Sequence, residues 1–267
     1  MRIYWVALLA AAPAMGQWLH LTTAGVPRHS NGSANLTAPA PKTADGKPDF
    51  SGMWVARDEL PCNVKERGVQ CTELALTPQV INIAAGLKGG LPYQPWAAAL
   101  VKKRRAELGV NDPHTHCLPP NYPRAWAFPE YQKIFQVAGT LVVLHEFNAS
   151  YRQIFFDGRG FPEDMAPAWS GYSVGHWEGE ALVVESRGFR DDGWLDTTGN
   201  PMTDAARVIE RIRRPNFGSL EVEVTVNDPK AYTKPWTVTM HQKAVLDTEM
   251  MDFMCLENNK DIAHMKP

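Results

Sequence analysis

From residue 132 to residue 246 the chain is a succession of short runs in which apolar and polar positions alternate, each bounded by Gly, Asn or Asp. The runs are LVVLHEF (141–147), YRQIFF (151–156), GYSVGHW (171–177), ALVVES (181–186), ARVIERIRR (206–214), LEVEVTV (220–226) and WTVTMHQKAV (236–245). β-Branched and aromatic residues fill them, and Asp157-Gly158, Glu178-Gly179 and Asn216–Gly218 sit where hairpins turn. No helical pattern separates the runs, so they predict a meander and not βαβ units. The spacing predicts an all-β domain of about eight strands, an antiparallel up-and-down barrel or strongly curled sheet.

Ahead of the strands the pattern changes. Thr77-Pro78 opens a helix that Gly86 or Gly89-Gly90 should end, and Pro95 opens a second that stops at Gly109. Trp96, Leu100 and Val101 share one face of this second helix and are expected in the core. The helical insert, residues 77–108, gives two short helices on the N-terminal side of the barrel. Residues 111–130 carry Pro113, Pro119, Pro120, Pro123 and Pro129, a density that excludes regular structure; this connector is expected to wrap the barrel. Residues 17–47, rich in Ala, Thr, Ser, Asn and Pro, predict a flexible lead-in to a single β-rich domain over 48–267.

The first residues, MRIYWVALLAAAPAMG, place Arg2 before a short apolar stretch and end on Ala14-Met15-Gly16. That is the arrangement of a secretory signal peptide over residues 1–16, too short to span a bilayer. No later segment is long and apolar enough to do so, and a periplasmic or secreted product is expected. Export changes how the four cysteines read: an even count predicts disulfides, with Cys62–Cys71 the local pair and Cys117–Cys255 the long-range one, although four cysteines allow three pairings. The alternative, a metal site around His114 and His116, fits no zinc spacing. A formal net charge of −2 on 267 residues argues against a nucleic-acid partner.

Residues 45–54, DGKPDFSGMW, resemble the opening of a family of exported bacterial proteins, DGKPDxSGxW. The likeness continues through Cys117-Leu118-Pro119, Asp157-Gly158-Arg159, the WEGE turn at 177–180, Trp194-Leu195-Asp196 and DPKAYTKPW at 228–236. The resemblance implies export but no activity. Members often carry His where this chain has Tyr172 and Met202, so any chemistry of those histidines would be missing here. Gly52-Met53-Trp54 also resembles the lipocalin opening, which implies a lipocalin- or calycin-like barrel.

Strand alternation locates candidate chemistry. Glu210 lies on the apolar Val208–Ile212 face, where a carboxylate must be paired, hydrogen-bonded or protonated. It is either a functional group or half of an ion pair with Arg152. One of His145 and Glu146 must face inward. Arg152, with Ile154 and Phe156, suits a buried carboxylate or an anionic ligand. Asp191, Asp192 and Asp196 flank Trp194 in an insert that could bind a cation through oxygen ligands or line a pocket mouth, although it lacks an EF-hand pattern and Asp and Gly are also ordinary turn residues. There is no Gly-x-Ser-x-Gly, Walker, Rossmann, HExxH or CxxCH pattern, so no cofactor or resident metal is implied. The expected function is binding of a small, partly apolar molecule in the barrel, with Trp126, Trp169, Trp194 and Trp236 as apolar contacts, Arg152 and Glu210 as polar anchors, and Tyr172, Asp192 and Asp196 as further ligand-binding residues. Two alternatives remain open: an acid–base enzyme (lyase, isomerase or hydrolase) using Glu210, His145 or His176, and an envelope structural or interaction module.

Overall fold

In the computed structural model, which describes residues 21–57 and 78–257, the alternating runs form a closed barrel. Around it run β1 (Gly52–Ala56), β11 (Trp236–Val245), β10 (Ser219–Asn227), β9 (Arg207–Asn216), β6 (Ala181–Arg187), β5 (Tyr172–Glu178), β4 (Ser150–Phe155), β3 (Thr140–His145) and β2 (Gln132–Val137). β1 closes the barrel, with Met53 opposite Val245 on one side and Lys133 on the other. The inward faces are those the alternation predicts: Leu220, Val222, Val224 and Val226; Val208, Glu210 and Ile212; Leu141, Val143 and His145; Arg152 and Ile154. Each fully buried aliphatic side chain in this set contributes about 1.5–3 kcal/mol.

The all-antiparallel expectation needs one correction. β4 and β5 run parallel and share only two bridge pairs, Ile154 with Ser173 and Phe155 with Val174. The link between them is too long for a hairpin and returns the chain to the starting end, as parallel neighbours require. A further pair of two-residue strands, β7 (Gly193–Trp194) and β8 (Pro201–Met202), forms its own small sheet between β6 and β9.

The helices also differ from expectation. α1 (Pro78–Ile81) is a single turn, and among the described residues only α2 (Pro95–Ala106) is a full helix. Two side chains end α1 early: Asn82 accepts the Ala84 N–H at 3.0 Å and Asp196 accepts the Ile83 N–H at 2.6 Å. Thr77 lies outside the described residues. Ala97 and Val101 form the buried face of α2. Trp96 is not core; it is 47 % exposed and donates its indole N–H to the Lys230 carbonyl at 2.7 Å.

The largest departure is the Pro-rich connector. It contains two 3-10 turns, Pro113–His116 and Arg124–Ala127, and residues 120–128 are all buried. It does not wrap the barrel but fills it. The inward-facing Gln132 and Gln242 hold the turn by its carbonyls, donating to Ala125 at 3.0 Å and Trp126 at 2.7 Å. Residues 21–47 add no strand to the barrel. They hydrogen-bond to the β9–β10 turn, Gly218 N–H to the Leu36 carbonyl and Phe217 N–H to the Ala38 carbonyl, both at 2.8 Å.

Cys117 and Cys255 form a disulfide across 138 residues, with Cα atoms 5.4 Å apart. Cys62 and Cys71 lie outside the described residues, as does the segment 1–16. No helix among the described residues is long and apolar enough to cross a membrane. Opening the long-range disulfide releases most of the β-region in the unfolded chain. Cys117→Ser is therefore expected to cost roughly 4–5 kcal/mol on chain-entropy grounds. Cys255→Ser should cost the same, and the double variant no more than either. Urea titration of the three proteins checks this.

Candidate functional site

Three residue types meet at the centre of the barrel. The Glu210 carboxylate, fully buried, accepts from the Trp126 indole N–H at 2.6 Å and from Arg152 through both terminal guanidinium nitrogens, Nη1 at 3.0 Å. Arg152 starts on β4 and must cross β5 and β6 to reach β9. Ser173 and Ser186, directly paired across β5 and β6, make this passage because they are small and because their hydroxyls accept on the way. Arg152 Nε donates to Ser173 Oγ at 3.2 Å and Nη2 to Ser186 Oγ at 2.8 Å. The guanidinium lies over the Tyr122 ring, 4.4 Å from its centroid. Burial pushes the Tyr122 hydroxyl well above its ordinary range, so it stays neutral, donating to Gln132 at 3.2 Å. Glu210, Arg152 and Trp126 are thus saturated by one another and by the chain, not free to meet a ligand.

A second buried charge pair, which the sequence pattern did not single out, anchors the two ends of the connector: Arg124 to Asp112, with Nη1 to Oδ1 at 2.7 Å and both side chains buried. Beside it His114 stacks between Phe128 and Phe147, ring centroids 4.5 and 4.1 Å away. Burial, then the Arg124 guanidinium, lowers His114 to about 4. His145 faces inward, and burial followed by the neighbouring His114 lowers it to about 3. Its Nδ1 accepts from the Phe147 N–H at 3.2 Å. No hydrogen bond joins His145 to Glu210.

The other sequence candidates are dispersed. His176 is on the outer face of β5, exposed, with Nε2 3.1 Å from Glu178. Asp192 is an exposed partner of Arg190 at 2.9 Å. Trp194 is buried beneath Arg104, whose guanidinium sits 4.2 Å from its ring centroid. Asp196 is fully buried as a loop knot, accepting from Ile83 N–H at 2.6 Å, Thr198 Oγ1 at 2.9 Å and Asn200 N–H at 3.2 Å. The three carboxylates of this insert do not converge. His116 is exposed and bonds to the Val110 carbonyl at 2.8 Å.

An opening of about 460 Å³ lies at the seam of β4 and β5. It exists because the chain entering β5 leans away from β4. Ala168 pairs instead with the segment after β6, its N–H to the Gly188 carbonyl at 3.0 Å and its carbonyl to the Arg190 N–H at 3.2 Å. Gly171 makes that path feasible: its φ is +62°, and a Cβ there would stand 2.6 Å from the Arg187 carbonyl oxygen. The walls are Tyr151 and Phe155 on one side and Trp169 and Tyr172 on the other, with Arg152 and Ser173 between them. Tyr172 and Phe155 pack with their rings tilted and centroids 5.3 Å apart, and Arg190 caps the Trp169 ring at 4.7 Å. Asn148 closes one end. It is tied to the disulfide, its Oδ1 accepting from the Cys255 N–H at 3.0 Å and its amide donating to the Cys117 carbonyl. Of the sequence candidates, Arg152, Tyr172 and Trp169 meet here. Tyr151, Phe155 and Ser173 were missed, yet Tyr151 and Phe155 follow from the same alternation that turned Arg152 inward.

Two measurements test this electrostatic picture. Glu210→Ala leaves the Arg152 guanidinium buried without its counter-charge and should cost about 3–5 kcal/mol. Replacing both partners, Glu210→Leu with Arg152→Met, should recover much of that loss; chemical denaturation reads it. The second is pH. Both buried histidines have folded pKa values below the unfolded value of about 6.5, so the unfolded chain binds protons that the folded one refuses. Their neutral-state stability is complete above pH ~6.5 and falls as pH drops toward about 4. The slope approaches about 1.4 kcal/mol per pH unit for each histidine. His145→Gln should flatten that limb by one proton's worth in denaturation curves taken across the range. No family model and no curated protein matches this chain, so its function must be argued from geometry.

Proposed function

We propose that this is an exported binding protein, periplasmic or secreted, for a small, partly apolar molecule, and that the molecule sits in the β4–β5 seam and not inside the barrel. The observation that carries the reading is the groove itself. Its volume of about 460 Å³ falls in the range of small-molecule sites, which are mostly apolar with a few polar groups that set orientation. Tyr151, Phe155, Trp169 and Tyr172 supply the apolar surface, and Ser150, Gln153 and Ser170 the polar atoms. The disulfide at its Asn148 end suits an oxidising compartment.

An acid–base enzyme is the weaker reading. The groove lining contains no His, Asp or Glu, the side chains most used for proton transfer at neutral pH; the acid–base groups it does present are the phenols of Tyr151 and Tyr172. The candidates for that role are buried in the barrel or exposed on its outside. An envelope interaction module would use the exposed Phe135, Val137 and Tyr151, of which Tyr151 lines the groove.

A thermal-shift screen of small aromatic and aliphatic metabolites tests the reading. Ligand at about a hundred times its Kd should stabilise the protein by about 2.7 kcal/mol. Trp169→Ala and Tyr172→Ala should each weaken binding roughly tenfold or more, about 1.4 kcal/mol. A flat response across the library, or hits indifferent to both substitutions, would overturn it.

A further inference from the structure

The β4 wall of the groove carries main-chain groups without partners, and these define what the ligand is made of. In an antiparallel pair, hydrogen-bonded residues alternate along the strand. The Phe156 N–H bonds to the Gly139 carbonyl at 2.8 Å, which continues the β3–β4 register. It follows that Ser150, Arg152 and Ile154 bond to β3, while Tyr151, Gln153 and Phe155 turn their N–H and C=O toward β5. The β2–β3 side agrees. There the Glu146 N–H bonds to the Tyr131 carbonyl at 3.1 Å, so Leu144 and Val142 face β2 and leave Val143 and Leu141 to face β4. The two bridge pairs between β4 and β5 involve Phe155 and the Gln153 carbonyl. The N–H and C=O of Tyr151 and the N–H of Gln153 are left pointing into the groove, with no partner among the described residues.

We infer that the groove takes an extended peptide segment bearing an apolar or aromatic side chain, which adds to β4 as a short strand. This rests on the binding reading above and names its ligand class. A peptide main chain offers a carbonyl and an N–H at the strand repeat that Tyr151 and Gln153 present, which is the recognition used whenever an extended peptide joins an open sheet edge. Alternate peptide side chains then point to the outer surface, where Tyr151, Phe155, Trp169 and Tyr172 stand. Such an edge inside a protein is ordinarily covered or blunted; here the neighbouring segment holds off because Ala168 bonds to Gly188 and Arg190.

The test uses the mature protein and three probes: a capped Val-Phe-Val tripeptide, the same peptide methylated on its backbone nitrogens, and a non-peptide aromatic amide of similar size. Tryptophan fluorescence reads occupancy, and Trp169→Phe confirms which ring reports. Amide proton shifts of Tyr151 and Gln153 in NMR read the strand contact. The expected result is binding of the tripeptide, at least a tenfold loss on N-methylation, and downfield shifts of those two amides. Gln153→Pro, which deletes a groove-facing N–H that β3 does not use, should weaken the tripeptide alone. Equal binding of the methylated peptide, or binding of the aromatic amide only, would overturn strand addition and leave the small-molecule reading standing. Failure of all three probes would count against both.

Discussion

The Glu210 carboxylate is the constraint on which the interior depends. A closed barrel of nine strands encloses more space than its inward aliphatic side chains fill, and whatever fills it must satisfy an ionised group placed on the middle of β9. Taking a carboxylate out of water costs several kcal/mol unless charge and hydrogen bonds replace the solvent. The chain meets that cost from two directions. Arg152 reaches across β5 and β6 over a floor of serines, and the 3-10 turn at Arg124–Ala127 delivers the Trp126 indole N–H. Each element depends on the other. The turn is held by Gln132 and Gln242 from the barrel wall, while the wall's only inward carboxylate of β9 is held by the turn. A polar centre of this kind specifies one register, because a slip of one residue would expel Glu210 and bury Arg211.

With the interior filled, the opening at the β4–β5 seam lies in the barrel wall. Barrels of eight or so strands can hold a ligand in the mouth, but here that volume is occupied by the protein's own connector. The barrel's ladder is thinnest where β4 meets β5, and the groove opens there for local reasons. The positive φ at Gly171 and the main-chain bonds of Ala168 hold one wall aside, while Asn148 and the Cys117–Cys255 disulfide fix the other end. The groove is therefore bounded by covalent and hydrogen-bonded anchors.

The barrel was legible in the sequence because its strands have one wet and one dry face, so period-two alternation survives in nearly every run. The same rule placed Glu210 and Arg152 inside and identified their pairing as one of two options. The connector was not legible. Residues 121–128 are buried on all sides, and a segment without a polar face shows no periodicity to read. Its signal was composition alone, Tyr122, Trp126 and Phe128 among prolines, which equally describes a loop packed on an outer surface. The parallel seam was missed for a different reason: strand order depends on the path of the link after Phe156, and side-chain pattern is silent on path. α1 fell short because Asp196, distant in sequence, takes an N–H that the helix would need.

Charge on the barrel's outside is distributed unevenly, and the groove lies at the boundary. The strands β5, β6, β9 and β10 carry cross-strand ion pairs: Arg211 with Glu178, Arg207 with Glu185, and Arg213 with Glu221. Exposed pairs of this sort add little stability, but a charged, solvated face opposes association with other apolar surfaces. On β2, β3 and β4 the outward rows read Phe135, Val142, Gln153 and Val137, Thr140, Phe155 across the strands, with Tyr151 beyond. Phe135, Val137 and Tyr151 are 43, 55 and 65 % exposed. Scattered apolar residues on a surface need no explanation, whereas a contiguous set beside a pocket does. The apolar wall of the groove thus continues from β4 onto the neighbouring strands β3 and β2, away from the charged side.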